Sequence, residues 1–160
     1  MILKIVHIVP NLKKGGAERL ALDICNELTA REGVEVKLIT FSEENDYAFL
    51  SDSLDWEVIP SKYVPSVKGK EVEEIEKLEA AINYFQPDVV HIHLFEAMMV
   101  LSRVQYTKCH YVVHFHDNMR QLKKGRIKMF FKKRDLTEYF ERKLVLQVYK
   151  KRKTLFLAIS

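Results

Sequence analysis

Two rhythms of apolar residues alternate along the chain. Leu3-Lys4-Ile5-Val6-His7-Ile8-Val9 is rich in β-branched residues and stops at Pro10, which predicts a buried first strand. Asn11 to Gly16 is a turn-rich loop. From Ala17 the period changes: Ala17, Leu20, Ala21, Ile24 and Leu28 keep the three-four spacing of one helix face, and Gly33 ends the helix. Val34 to Phe41 predicts the second strand, followed by a polar stretch from Ser42 to Asp46. Trp56 to Ile59 is a short strand closed by Pro60, and Ser61 to Lys70 reads as loop. Val72, Ile75, Leu78, Ile82 and Phe85 predict a helix over Glu71 to Phe85 that Pro87 ends. Asp88 to His93 is a strand, Glu96 to Val104 a helix, and Cys109 to His116 another strand. Residues 119–133 are basic and predict a loop with a short helix. Leu136, Tyr139, Phe140, Leu144 and Val148 mark a helix to Lys150, before a last strand from Thr154 to Ile159.

Strands alternating with helices, several of them apolar throughout, give an α/β domain. Its sheet is mostly parallel and covered by helices on both faces, in three layers. The crossovers are expected to be right-handed. With 160 residues there is room for one domain. No internal repeat or low-complexity tract interrupts it. The chain stops on an apolar strand, so it is expected to be a piece of something longer. No apolar run reaches the roughly 18–20 residues of a membrane-spanning helix. The start shows neither a long apolar signal region nor a small-residue cleavage site, which makes the cytoplasm the expected compartment. The two cysteines, Cys25 and Cys109, make no disulfide framework and no CxxC; Cys25 is expected to be a packed thiol.

Charge adds an asymmetry that a net +4 hides. Residues 1–118 carry 12 Lys and Arg against 19 Asp and Glu, whereas residues 119–160 carry 14 against 3. Such a split suggests an anionic partner for the basic part, or else a solvated helix face. Nucleic acid fits poorly, because no nucleic-acid motif and no interleaved stacking residues accompany the charge. A membrane surface fits better, since Met129-Phe130-Phe131 lies between Lys128 and Lys132-Lys133-Arg134.

Chemistry is expected beyond the carboxyl ends of the strands, where open α/β sheets bind ligands. Three features fall there. Paired glycines in Pro10-Asn11-Leu12-Lys13-Lys14-Gly15-Gly16-Ala17-Glu18 let backbone approach a ligand, and the helix start behind them suits a phosphate. GxGxxG and P-loop patterns are absent, and a plain tight turn is the bland alternative. The second and third features are His91-Ile92-His93 and His114-Phe115-His116-Asp117-Asn118. Alternation puts the two histidines of each pair on one face, and four such residues near one edge are a candidate zinc site. Only the last histidine of each pair is expected to clear its strand. His91 and His114 are expected to be packed and hydrogen-bonded, and His7 to be core or to back the site. His116 is the candidate for ligand contact or proton movement.

Taken together, Lys4 to Val9, Gly15-Gly16-Ala17-Glu18-Arg19, Pro87 to His93 and Val112-Val113-His114-Phe115-His116-Asp117 resemble the amino-terminal domain of a GT-B glycosyltransferase, family 4, the retaining group. The resemblance covers nearly the whole chain, with Ala158-Ile159-Ser160 similar to that domain's last strand. It implies a Rossmann-like fold. Residues 1–160 are then the acceptor-side domain, and the carboxyl-terminal domain that binds the nucleotide-sugar is absent from this sequence. It also implies that Gly15 and Gly16 approach the donor diphosphate and that His116 contacts the transferred sugar. Asn11, His93, Asp117 and Asn118 line the acceptor side. No metal and no cofactor are implied, the nucleotide-sugar being a substrate. Acceptors are polysaccharide or lipid-linked glycans. On this resemblance Lys123, Lys124, Arg126, Lys128, Lys132, Lys133 and Arg134 face anionic lipid, making the enzyme peripheral at the inner face of the membrane. Two alternatives stand beside this: a metal-dependent hydrolase using His91, His93, His114 and His116, and a non-catalytic binding module of the same fold.

Overall fold

A computed structural model describes residues 2–65, 71–116 and 133–158, with only the backbone described for 71–73 and 133–135. Asp117, Asn118, Lys123, Lys124, Arg126, Lys128 and Lys132 lie outside the described residues. Lys133 and Arg134 open a helix, and their side chains lie outside the described residues.

Thirteen elements follow in chain order: β1 (Leu3–Val9), α1 (Gly16–Thr29), β2 (Val34–Thr40), α2 (Ala48–Ser51), β3 (Asp55–Val58), β4 (Lys62–Val64), β5 (Glu71–Glu73), α3 (Ile75–Phe85), β6 (Val89–His93), α4 (Phe95–Leu101), β7 (His110–Phe115), α5 (Lys133–Lys151) and β8 (Thr154–Ala158). Six strands form one sheet in the order β3-β2-β1-β6-β7-β8, every neighbouring pair parallel. This is the doubly wound order of the Rossmann fold. It reverses between β1 and β6, and ligands bind beyond the carboxyl ends at that switch point.

Strand alternation divides the core into two layers. Val6, Ile8, Val90, Ile92, Tyr111 and Val113 face α3, α4 and α5 through Leu78, Ile82, Met98, Val145 and Tyr149. On the other face Val9, Val36 and Leu38 pack against Ala21, Leu22 and Cys25 of α1. Cys25 is a packed thiol, pushed up to about 12 by burial. Gly33 after α1 has φ +78, the conformation for which glycine is selected there. Arg152 donates to the carbonyls of Leu101 (2.8 Å) and Val104 (2.6 Å). It thereby satisfies the open carbonyl end of α4 and ties that end to the start of β8.

Two expectations need correction. Residues 62–64 are not loop and 71–73 are not helix; they pair antiparallel as a small hairpin, with Tyr63 opposite Val72 and Lys62 opposite Glu73. Glu74, at φ 56, then turns the chain into α3. The apolar periodicity of Val72 with Ile75 concealed that turn. The helix α2, one turn long, follows the polar stretch and was not foreseen, because four residues are too few to show a period.

The hairpin is tied to α5 by a hydrogen bond from the buried Tyr63 hydroxyl to the buried Glu141 carboxyl. Burial holds that carboxyl above its ordinary range. Removing the hydroxyl strands a buried polar group. Tyr63→Phe is therefore expected to destabilise the chain by about 1–3 kcal/mol in denaturant unfolding. A loss below the error of that measurement would show that Glu141 does not depend on it.

Candidate functional site

The parallel register sets the site. His7 of β1 stands beside His91 of β6, and His93 of β6 beside His114 of β7. In-register neighbours of a parallel sheet project on one face, so His7, His91, His93 and His114 form a patch with His116 just beyond β7. Adjacent rings lie 4.2 to 5.6 Å apart between centroids. His7 Nδ1 is 3.2 Å from His93 Nε2, and His93 Nδ1 is 3.1 Å from His116 Nε2. Two overlapping groups of three imidazoles result, His7-His91-His93 deep in the sheet and His93-His114-His116 nearer the rim. Both share His93.

His116 is half-buried, at the carboxyl rim. The expectation that His93 also clears its strand is not met. It is fully buried, because it pairs with His114 inside β7 and His116 lies over it. His93 thus meets His116 from beneath and is not itself exposed at the rim. His91 and His114 are buried as expected, but among the described residues His91 Nε2 and His114 Nδ1 have no hydrogen-bond partner, and neither has His7 Nε2. His7 is a full member of the patch. The in-register run of β1 beside β6 is the signal that could have included it.

Burial keeps these rings neutral. It pushes His7 down to about 3, aided by repulsion from His91. It lowers His91 to about 4, with repulsion from His114 and His116 adding to it. His93 is held well below its ordinary value by burial and then by its four histidine neighbours, and burial alone lowers His114.

The glycine loop lies on the same rim, after β1. It is pinned to residues 44–47 from the far side of β2. Leu12 N–H donates to the Glu44 carbonyl and Asp46 N–H to the Leu12 carbonyl, while Lys14 N–H donates to Asp46 Oδ2 at 2.7 Å. Gly15 N–H donates to Tyr47 Oη (3.0 Å), whose hydroxyl donates back to the Gly15 carbonyl (2.9 Å). That commits the Gly15 N–H. The first-turn N–H groups of α1, starting at Gly16, have no intrahelical acceptor, and among the described residues no side chain caps them. Among the described residues a Cβ at Gly16 would meet nothing within 4 Å, whereas one at Gly15 would press on the flexible Glu18 carboxylate. Packing among the described residues therefore does not demand a glycine at 16.

Asn11 Oδ1 accepts from Lys13 N–H at 3.0 Å, so part of its side chain shapes the loop. Asn11 also lines a cleft of about 460 Å³ beyond β1, β2 and β3, with Ser61, Lys62, Glu74 and Glu96 around it. Glu96, in the first turn of α4, carries no sequence signal of a site. Burial raises its carboxyl and Lys62 opposes that. Leu94, directly after His93, has φ 68 and ψ 157, a strained conformation of the kind found at functional sites.

A family model described as Glycosyltransferase Family 4 matches residues 14–158. The chain belongs to glycosyltransferase family 4. No curated protein and no solved structure gave a match. Membership makes the function of glycosyltransferase type and weighs against hydrolysis, with a sugar donor and an acceptor as substrates in general. Among the described residues of this family 4 domain, no helix is long and apolar enough to cross a membrane.

The neutral patch makes the domain sensitive to acid. An unfolded histidine binds its proton near 6.5, but folded His7 and His91 do so only near 3 and 4. The unfolded state then binds more protons throughout that window, so stability is full above pH 6.5 and falls as pH drops below it. Each such ring contributes a slope of about 1.4 kcal/mol per pH unit. In chelator-containing buffer, acid unfolding is expected to take up at least two protons, and His7→Leu to remove one. A pH-independent stability between 6.5 and 4.5 would contradict this.

Proposed function

We propose that this chain is the acceptor-side half of a retaining glycosyltransferase that moves a sugar from a nucleotide-sugar to a polysaccharide or lipid-linked glycan. The observation that carries this is that the uncapped start of α1 at Gly16 and the half-buried His116 occupy one carboxyl rim, on either side of the β1–β6 switch point. The donor is held mainly by a second domain and presents its diphosphate across the rim.

The chemistry asks for two things from this half. The leaving diphosphate gathers negative charge, and the positive end of α1 with the N–H groups from Gly16 onward stabilises it. Gly15, its own N–H taken by Tyr47, contributes shape. His116 faces the transferred sugar and is held from behind by His93 Nδ1. In this reading no metal ion takes part in the transfer. Asn11, Asp117 and Asn118 belong to the acceptor side, and the cleft at Asn11 with Glu74 and Glu96 offers carboxylates and an amide to sugar hydroxyls.

In the complete enzyme, His116→Ala is expected to lower turnover about a hundredfold or more, the usual effect of a positioned acid–base or electrostatic group. Unchanged turnover would remove His116 from the reaction. Gly16→Ala is expected to leave the melting temperature unchanged, since its Cβ has space, and to lower kcat/KM about tenfold to a hundredfold by displacing the diphosphate. If no transfer appears once the donor half is joined, the chain is instead a binding module of this fold.

We also propose that the basic segment holds the enzyme at an anionic, cytoplasm-facing membrane surface. Lys123, Lys124, Arg126, Lys128, Lys132, Lys133 and Arg134 each contribute roughly 1 kcal/mol when near the lipid. In liposome co-sedimentation, binding is expected to anionic vesicles and to fall with salt. Equal binding to neutral vesicles would remove the membrane role.

A further inference from the structure

We propose that His93, His114 and His116 form a tridentate site for a zinc-type divalent ion at the sheet rim, and that the bound ion withdraws His116 from sugar transfer. The first half stands on geometry alone. The second rests on the role given to His116 above.

Three imidazoles, one from β6, one from β7 and one just beyond it, bring one nitrogen each within 4.8 Å of the others. Around a tetrahedral zinc ion with arms of 2.0–2.1 Å, ligand nitrogens lie about 3.3 Å apart. His93 Nδ1 and His116 Nε2 are 3.1 Å apart. A hydrogen bond between neutral imidazoles has the same length, so this pair alone does not decide the matter. His114 does. Its ring is buried, its Nδ1 has no hydrogen-bond partner among the described residues, and it stands in register with His93 and in stacking contact with His116. A network built only for hydrogen bonding leaves that nitrogen without a partner; a metal triad uses the ring.

The surroundings match a metal site as well. A ligating histidine is held by a partner on its other ring nitrogen, and His93 Nε2 meets His7 Nδ1 at 3.2 Å. All three donors are imidazoles, the ligand type that suits zinc, copper, iron and nickel over magnesium or calcium. His116 is half-buried at the rim, the side on which a fourth ligand, water or an anion, would complete the tetrahedron. The deeper group, His7-His91-His93, is buried throughout and consists of neutral ligands alone. An ion there would carry two charges into the sheet with no anion beside it, so the rim triad is preferred. The ion and the sugar compete for one imidazole, and binding is thus expected to inhibit transfer.

The test uses the full chain, treated with chelator and dialysed, with cobalt(II) as probe and zinc as competitor. The expected result is one equivalent of cobalt with the intense visible bands of tetrahedral coordination, bleached by one equivalent of zinc. His114→Ala is expected to abolish those bands, and His7→Leu to weaken affinity by about 10–100-fold. His110→Ala, which changes an exposed histidine on the same strand, is expected to leave binding unchanged. Where His114→Ala does not melt cooperatively, His114→Gln replaces it. Cobalt that remains octahedral, or a folded His114 variant that binds like the parent chain, would overturn the site. In the complete enzyme, zinc at the concentration that fills the site is expected to suppress turnover. Zinc that fills the site and leaves turnover intact overturns the inhibitory role while the site stands. An enzyme without any transfer activity would count against the proposed function, with the cobalt spectrum still reporting on the site.

Discussion

The pairing register between β1, β6 and β7 is the constraint on which the rest of the molecule depends. His7 beside His91 and His93 beside His114 follow from it, and so does the interleaved layer of Ile8, Ile92 and Val113 on the opposite face. Side chains on a strand alternate with period two, so a slip of one residue in β6 would exchange those layers. Imidazoles would then enter the helix-covered core, and isoleucine and valine would face the patch. Core and site are two sides of one register and cannot be varied separately.

That coupling has an energetic side. A compact group of titratable rings is held neutral beneath the rim, at the place where the fold reverses its winding. Leu94, in its strained conformation, follows the fully buried His93 directly. Such strain persists only where the surroundings over-determine it, and here strand pairing before it and α4 after it do so. The glycine loop is held differently, by hydrogen bonds from a segment beyond β2. One side of the rim is thus stiffened by burial and the other by a polar clasp.

Most of the architecture was legible in the chain because long apolar segments keep one period. Six sheet strands and four of the helices stand close to where alternation and three-four spacing put them. The hairpin of β4 and β5 was not legible. Three-residue strands show no period, and Val72 could be counted into the following helix equally well. The site was partly legible. His116 at a strand end and the glycines before a helix carry local signals. The burial of His93 and the inclusion of His7 depend on which strands lie side by side, which no local pattern states. Tyr47 was invisible for the same reason, since its partner lies 32 residues upstream.

Tyr47 also bears on how portable this loop is. Its hydroxyl both receives from and gives to the backbone of Gly15, and Lys14 and Leu12 are held by neighbours of that tyrosine. The conformation of the loop is inherited from a distant stretch of chain as much as from its own glycines. Grafting Gly15-Gly16-Ala17-Glu18 onto another scaffold would transplant the letters and leave the shape behind. The unit that evolution or a designer must move intact is the pair of segments, joined through one phenol.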